Sequence, residues 1–127
     1  MGANPEMTIL CVDDFSTMRR IIKTLLKQLG YKNILEADDG STALEVLKEN
    51  NVDFIISDWN MPKMTGLDLL KAVRQDDAMK EIPFLMVTAE SEKDSILTAV
   101  KAGVSNYVVK PFKADVLKEK IDKIFGM

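Results

Sequence analysis

Five residues in this chain have side chains whose types and spacing could handle a phosphoryl group: Asp13, Asp14, Asp58, Thr88 and Lys110. Each stands at the end of a short apolar run, where a strand should give way to a loop. A carboxylate at the tip of a buried strand is costly unless something there uses its charge. If the first and third strands are neighbours, Asp13, Asp14 and Asp58 converge. Carboxylates about 4 Å apart repel by roughly 1 kcal/mol per pair in water, and by more when partly buried. Such a cluster calls for a cation, and a few hard oxygen ligands with room for water suit Mg²⁺. The spaced acidic loop of an EF-hand is absent from the sequence. Lys110 and Thr88 then fit as partners of an anion in the same crevice, with Asp58 as a nucleophile able to form an acyl phosphate.

Taken singly, these residues say little. An Asp-Asp pair is usually a solvated turn, a lone lysine a surface charge, and a threonine after valine a strand residue. Their common placement at the carboxyl ends of successive strands carries the argument, because open α/β sheets bind ligands beyond those ends.

Composition narrows the chemistry by exclusion. The 127 residues contain no histidine and one cysteine, Cys11. Ser-His-Asp triads, Cys-His pairs, His/Cys zinc sites and disulfide frameworks are therefore excluded. Cys11 sits inside an apolar run and reads as buried filler, not as a reactive thiol. A net charge of −3 and a pI near 5.0 give no support to nucleic-acid binding. With 46% apolar and 29% charged residues, the chain has the make-up of one globular domain. No apolar run approaches the roughly 20 residues of a membrane span, and no signal peptide is visible, so a cytoplasmic location is expected. Residues 1–7 read as a loose tail and residues 8–127 as the domain.

The elements that must position these groups alternate along the chain. Strands are expected over residues 8–12, 33–37, 54–58, 83–87 and 106–109. Met18, Ile21, Ile22, Leu25, Leu26 and Leu29 form a helical stripe, with Ser16 or Thr17 as its cap and Gly30 as its end. A second helix is expected over residues 41–48 after the turn Asp38-Asp39-Gly40. A third should be capped by Thr65, with Leu67, Leu70 and Val73 inward. Residues 92–102 form a fourth, and Leu117, Ile121, Ile124 and Phe125 mark a fifth. Uniformly apolar strands between helices predict an α/β fold, a doubly wound five-stranded parallel sheet with helices on both faces.

The sequences VDDFSTMRRI, SDWNMP, LMVTAE and YVVKPF resemble the receiver domains of two-component response regulators, and among them the stand-alone chemotaxis regulators. The resemblance spans residues 8–125. It implies a flavodoxin-like fold with strand order 2-1-3-4-5. It also implies that Asp58 accepts phosphate from a chemotaxis sensor histidine kinase, and that Asp14, Asp58 and the carbonyl of Asn60 bind Mg²⁺, with Asp13 acting mainly through water. Thr88 would hydrogen-bond the phosphoryl group and Lys110 pair with its charge, while Asn60 and Glu90 tune hydrolysis. Tyr107 would turn inward as Thr88 moves, and the Lys110-Pro111 bond would be cis.

The implied output surface, including Lys93, Ile96, Tyr107, Lys120 and Lys123, would meet a flagellar motor switch protein, and a phosphatase would be a further partner. On sequence grounds alone Lys120 and Lys123 read as a solvated helix face. The expected protein is a monomer with no substrate beyond its own phosphorylation and dephosphorylation; acting as a phosphate sink or relay is the alternative. Two further readings fit worse. A haloacid-dehalogenase-like phosphohydrolase needs an acid where Asn60 stands. An FMN carrier would meet repulsion between its phosphate and Asp13-Asp14.

Overall fold

The computed structural model describes residues 4–89 and 93–126. The ten elements alternate in chain order: β1 (Thr8–Val12), α1 (Ser16–Gln28), β2 (Asn33–Ala37), α2 (Gly40–Glu49), β3 (Phe54–Asp58), α3 (Gly66–Gln75), β4 (Phe84–Ala89), α4 (Lys93–Lys101), β5 (Asn106–Lys110) and α5 (Ala114–Ile124). The strands form one parallel sheet in the order β2-β1-β3-β4-β5, as expected.

Strand alternation splits the core in two. Leu10, Val12, Ile55, Phe84 and Met86 face a cluster completed by Ala43 and Leu47 of α2 and Leu69, Leu70 and Val73 of α3. Ile9, Cys11, Phe54, Ile56, Leu85 and Val87 face the other side, packed with Ile22 and Leu26 of α1 and Leu117 and Ile121 of α5. Both faces of the central strands β1, β3 and β4 are covered, so these are mainly apolar, whereas the edge strands β2 and β5 carry Asn33, Glu36, Asn106 and Lys110. No helix among the described residues is long and apolar enough to cross a membrane.

Several local expectations need correction. The residue preceding α1 is Phe15, and no side chain caps that helix. Ser16 and Thr17 lie inside it, because Asp13 Oδ1 accepts the Phe15 amide (2.9 Å) and closes the turn one residue earlier. The turn at Asp38-Asp39-Gly40 is itself the cap of α2. Asp39 accepts from the amides of Ser41 and Thr42, and the Thr42 hydroxyl accepts from the Asp39 amide in a reciprocal capping box. Thr65 caps α3 as expected. The buried stripe of α3 is Gly66, Leu69, Leu70 and Val73, an i, i+3, i+4, i+7 set at whose edge Leu67 stands half-buried. Thr88 and Lys110 belong to their strands instead of following them: the ladder pairs Thr88 with Val109 and Ala89 with Lys110.

Candidate functional site

Parallel pairing puts all strand carboxyl ends on one edge. β1 and β3 are adjacent, with Val12 opposite Ser57, so the loop after β1 overhangs the tip of β3. There Asp13, Asp14 and Asp58 each offer a carboxylate oxygen, all within 4.8 Å of one another. β3 holds its tip firmly. Trp59 donates its amide to the Val87 carbonyl (3.0 Å), and the Ser57 hydroxyl donates to the Asp58 carbonyl (3.0 Å). Gly66 approaches the same carbonyl so closely that a Cβ there would collide with it, while its amide donates to Trp59 O (2.9 Å). The backbone carrying Asp58 is thus gripped from three directions.

Lys110 reaches across from β5. Its ammonium lies 2.8 Å from Asp58 Oδ1 and 3.9 Å from Asp13 Oδ2, the second at ion-pair but not hydrogen-bond distance. Thr88 is fully buried, and its hydroxyl has no hydrogen-bond partner among the described residues. The same holds for Asp13 Oδ2 and Asp14 Oδ1. Buried polar atoms are nearly always satisfied, so three orphans in one place mark a site built for something not of the protein.

The electrostatics agree. Burial pushes Asp13 up from 3.8 to about 6; the Phe15 amide opposes the shift, and the neighbouring Asp58 charge adds to it. Asp58 is also raised by burial, against the pull of the Lys110 hydrogen bond and charge. One ammonium is too little counter-charge for three carboxylates. The donors are all hard oxygens, one from each carboxylate within 4.8 Å of the others. This set fits a hard divalent cation, and it could hold a metal ion.

The other expected residues are spread around this centre. Asn60 is exposed, two residues past the tip of β3. Tyr107 is half-buried on β5, and the Lys120 ammonium sits 5.2 Å from its ring centroid, a cation–π contact. Ile96 is half-buried on α4. Lys123 is exposed and pairs with Glu119 at 3.2 Å. Glu90 lies outside the described residues, as does the side chain of Lys93. The Lys110-Pro111 bond is cis, as expected.

Three features escaped the sequence. Leu97 and Val100 are the most exposed apolar side chains of α4, at 64% and 56%. Their i, i+3 spacing could have shown them as a pair out of phase with buried Ala99. Arg19 donates to the Asp13 carbonyl, for which no sequence signal exists. Gly66, the first residue of α3, is also a position of close approach to the Asp58 carbonyl, which sequence alone does not show. A cleft of about 790 Å³ lies at the opposite, amino edge around Asn51, Asp53 and Met79, and holds none of the strand-tip residues.

Residues 9–122 match the response regulator receiver domain family. The chain belongs to that family. It is 65% identical over 119 residues to the chemotaxis protein CheY of Pseudomonas aeruginosa, spanning 94% of this chain and 96% of that protein. Chemotaxis protein CheY-3 of Vibrio cholerae is 58% identical over 122 residues, spanning 96% and 94%. Among solved structures, CheY4 of Vibrio cholerae superposes with a TM-score of 0.86 at 33% identity, covering 94% of this chain and 99% of that one. A response regulator receiver domain protein from Clostridium thermocellum gives 0.85 at 30% identity, covering 94% of each. This is a receiver domain homologous to the CheY chemotaxis regulators, with the five-stranded order of that fold.

Proposed function

We propose that this chain is a phosphorylation-activated chemotaxis response regulator, with Asp58 as the acceptor, working in the cytoplasm as a monomer whose receiver domain is residues 8–127. The observation that carries the reading is the Asp58 carboxylate held between an acidic pair and the Lys110 ammonium at 2.8 Å. A free Asp58 oxygen attacks phosphorus of a phosphohistidine on a sensor kinase. The phosphorus–nitrogen bond breaks, and its electron pair returns to the imidazole, leaving an acyl phosphate on Asp58. Asp14, Asp58 and the Asn60 carbonyl would hold Mg²⁺, with Asp13 acting through water. The ion would supply positive charge to the transferring phosphoryl oxygens.

The chain's own groups do the rest. Lys110 moves its pairing from Asp58 to a phosphoryl oxygen, and the unpartnered Thr88 hydroxyl donates to another. A Thr88 drawn toward phosphate vacates space beside β5, into which Tyr107 turns. Lys120 must then leave the Tyr107 ring, so that the face including Lys93, Ile96, Tyr107, Lys120 and Lys123 changes shape. A flagellar motor switch protein reads that face, and a phosphatase ends the signal; Asn60 and Glu90 set the rate of self-hydrolysis. No separate substrate is turned over.

Intact-protein mass spectrometry with phosphoramidate and Mg²⁺ tests this. One added phosphoryl group is expected, absent from Asp58→Asn; labelling that survives the substitution would move the acceptor elsewhere. A pull-down comparing the two phosphorylation states identifies the output partner.

A further inference from the structure

We propose that Arg19 is a positioning residue for the metal-binding acidic pair, locking the Asp13–Asp14 peptide so that both carboxylates face the strand tip. The inference rests on the metal site proposed above.

Arg19 lies one turn into α1, with its side chain 19% exposed. One arm of the guanidinium donates to the Asp13 carbonyl at 2.6 Å. Its Nε donates to Glu36 Oε1 at 3.1 Å, on β2. Glu36 is itself held through Oε2 by Lys23, at 2.9 Å. The rigid planar fork of arginine makes both contacts at once, which a single ammonium does not.

The remaining groups of Asp13 are equally committed. Its amide donates to the Ala37 carbonyl (3.1 Å), and Oδ1 accepts from Phe15 (2.9 Å). Only Oδ2 is left to face the cluster. The peptide joining Asp13 to Asp14 is planar, so fixing the carbonyl also fixes the direction in which Asp14 leaves. Without Arg19 that plane is free to rotate, and Asp14 Oδ1 loses its aim.

Charge and position make opposite forecasts, which gives the test its force. Arg19 is a cation close to an acidic cluster. On charge alone, neutralising it tightens a divalent ion. If position dominates, neutralising it weakens the ion, by about tenfold on the scale usual for residues that orient metal ligands.

Mg²⁺ dissociation constants are to be measured by calorimetric titration of the unphosphorylated protein, with emission of the single tryptophan, Trp59, as a second readout. Arg19→Gln is expected to bind about tenfold more weakly. Arg19→Lys, which keeps the charge and loses the fork, is expected to weaken binding as well, and guards against misfolding of the first variant. Lys23→Gln perturbs the same Glu36 without touching Asp13, and is expected to stay within about twofold of the unsubstituted chain. Equal or tighter binding by folded Arg19→Gln and Arg19→Lys overturns the proposal. Loss of the metal-free thermal midpoint with unchanged Mg²⁺ affinity does so too, because it shows a purely structural role. If the unsubstituted chain binds no Mg²⁺, the metal site itself fails, a result distinct from either.

Discussion

Lys110 Nζ stands 2.8 Å from Asp58 Oδ1 and 3.9 Å from Asp13 Oδ2, bridging the outermost strand of the sheet to two of its inner ones. Among the described residues it is the one ammonium that pairs with members of the acidic cluster, Asp58 and Asp13. Replacing it by methionine takes the ammonium donor from the buried Asp58 Oδ1, which costs about 1–3 kcal/mol. Urea unfolding of metal-free Lys110→Met should show that loss. An unaltered stability would deny Lys110 its part as counter-ion.

Stability without metal should rise as the solution is acidified from pH 7 to 5. The folded pKa of Asp13, about 6, exceeds its ordinary 3.8, so the folded state binds the proton more readily across that window. The penalty from its charge is in full force above the folded value and is relieved below it. Asp58 shifts in the same direction. Glu36 and Asp39 are lowered, and lose their contribution only at more acid pH, below their ordinary 4.5 and 3.8. Calorimetry in chelator at the two pH values checks the sign, and Asp13→Asn should flatten the dependence.

Mg²⁺ should raise the thermal midpoint by binding the folded state alone, contributing about 2.7 kcal/mol at a hundredfold excess over its dissociation constant. It should also flatten the acid dependence, since ion and proton compete for the same oxygens. A midpoint that ignores millimolar Mg²⁺ argues against the site.

Gly66→Ala should destabilise, although alanine is the better helix former by up to about 1 kcal/mol. The added carbon meets the Asp58 carbonyl and lies 3.0 Å from Met86 Sδ. Overpacking of this kind costs about 1–3 kcal/mol. The neighbour is strand backbone, which has little freedom to yield. Urea midpoints of the two proteins decide it.

How much of this was legible beforehand depends on whether a signal is local. Apolar runs ending in Asp58 and Asp13-Asp14 located the strands and their acidic tips, because burial and chain direction are written in consecutive residues. In α3, Leu70 and Val73 are inward as their spacing indicated, while Leu67 stands half-buried at the edge of the stripe that Leu69 completes, a distinction that needs the packing partners. The cap of α1 was misread because Asp13 ties the loop from outside the helix. Arg19 on the Asp13 carbonyl left no trace in the sequence; a bond to backbone needs no particular partner residue, only proximity created by the fold. Strand order came from likeness to a family, since apolar strands of similar length do not by themselves declare their neighbours.

The acidic groups come from the first half of the chain, Asp13 and Asp14 after β1 and Asp58 from β3, whereas their lysine comes from β5, the last strand. A nascent polypeptide halted before β5 holds the anions without the ammonium that balances them.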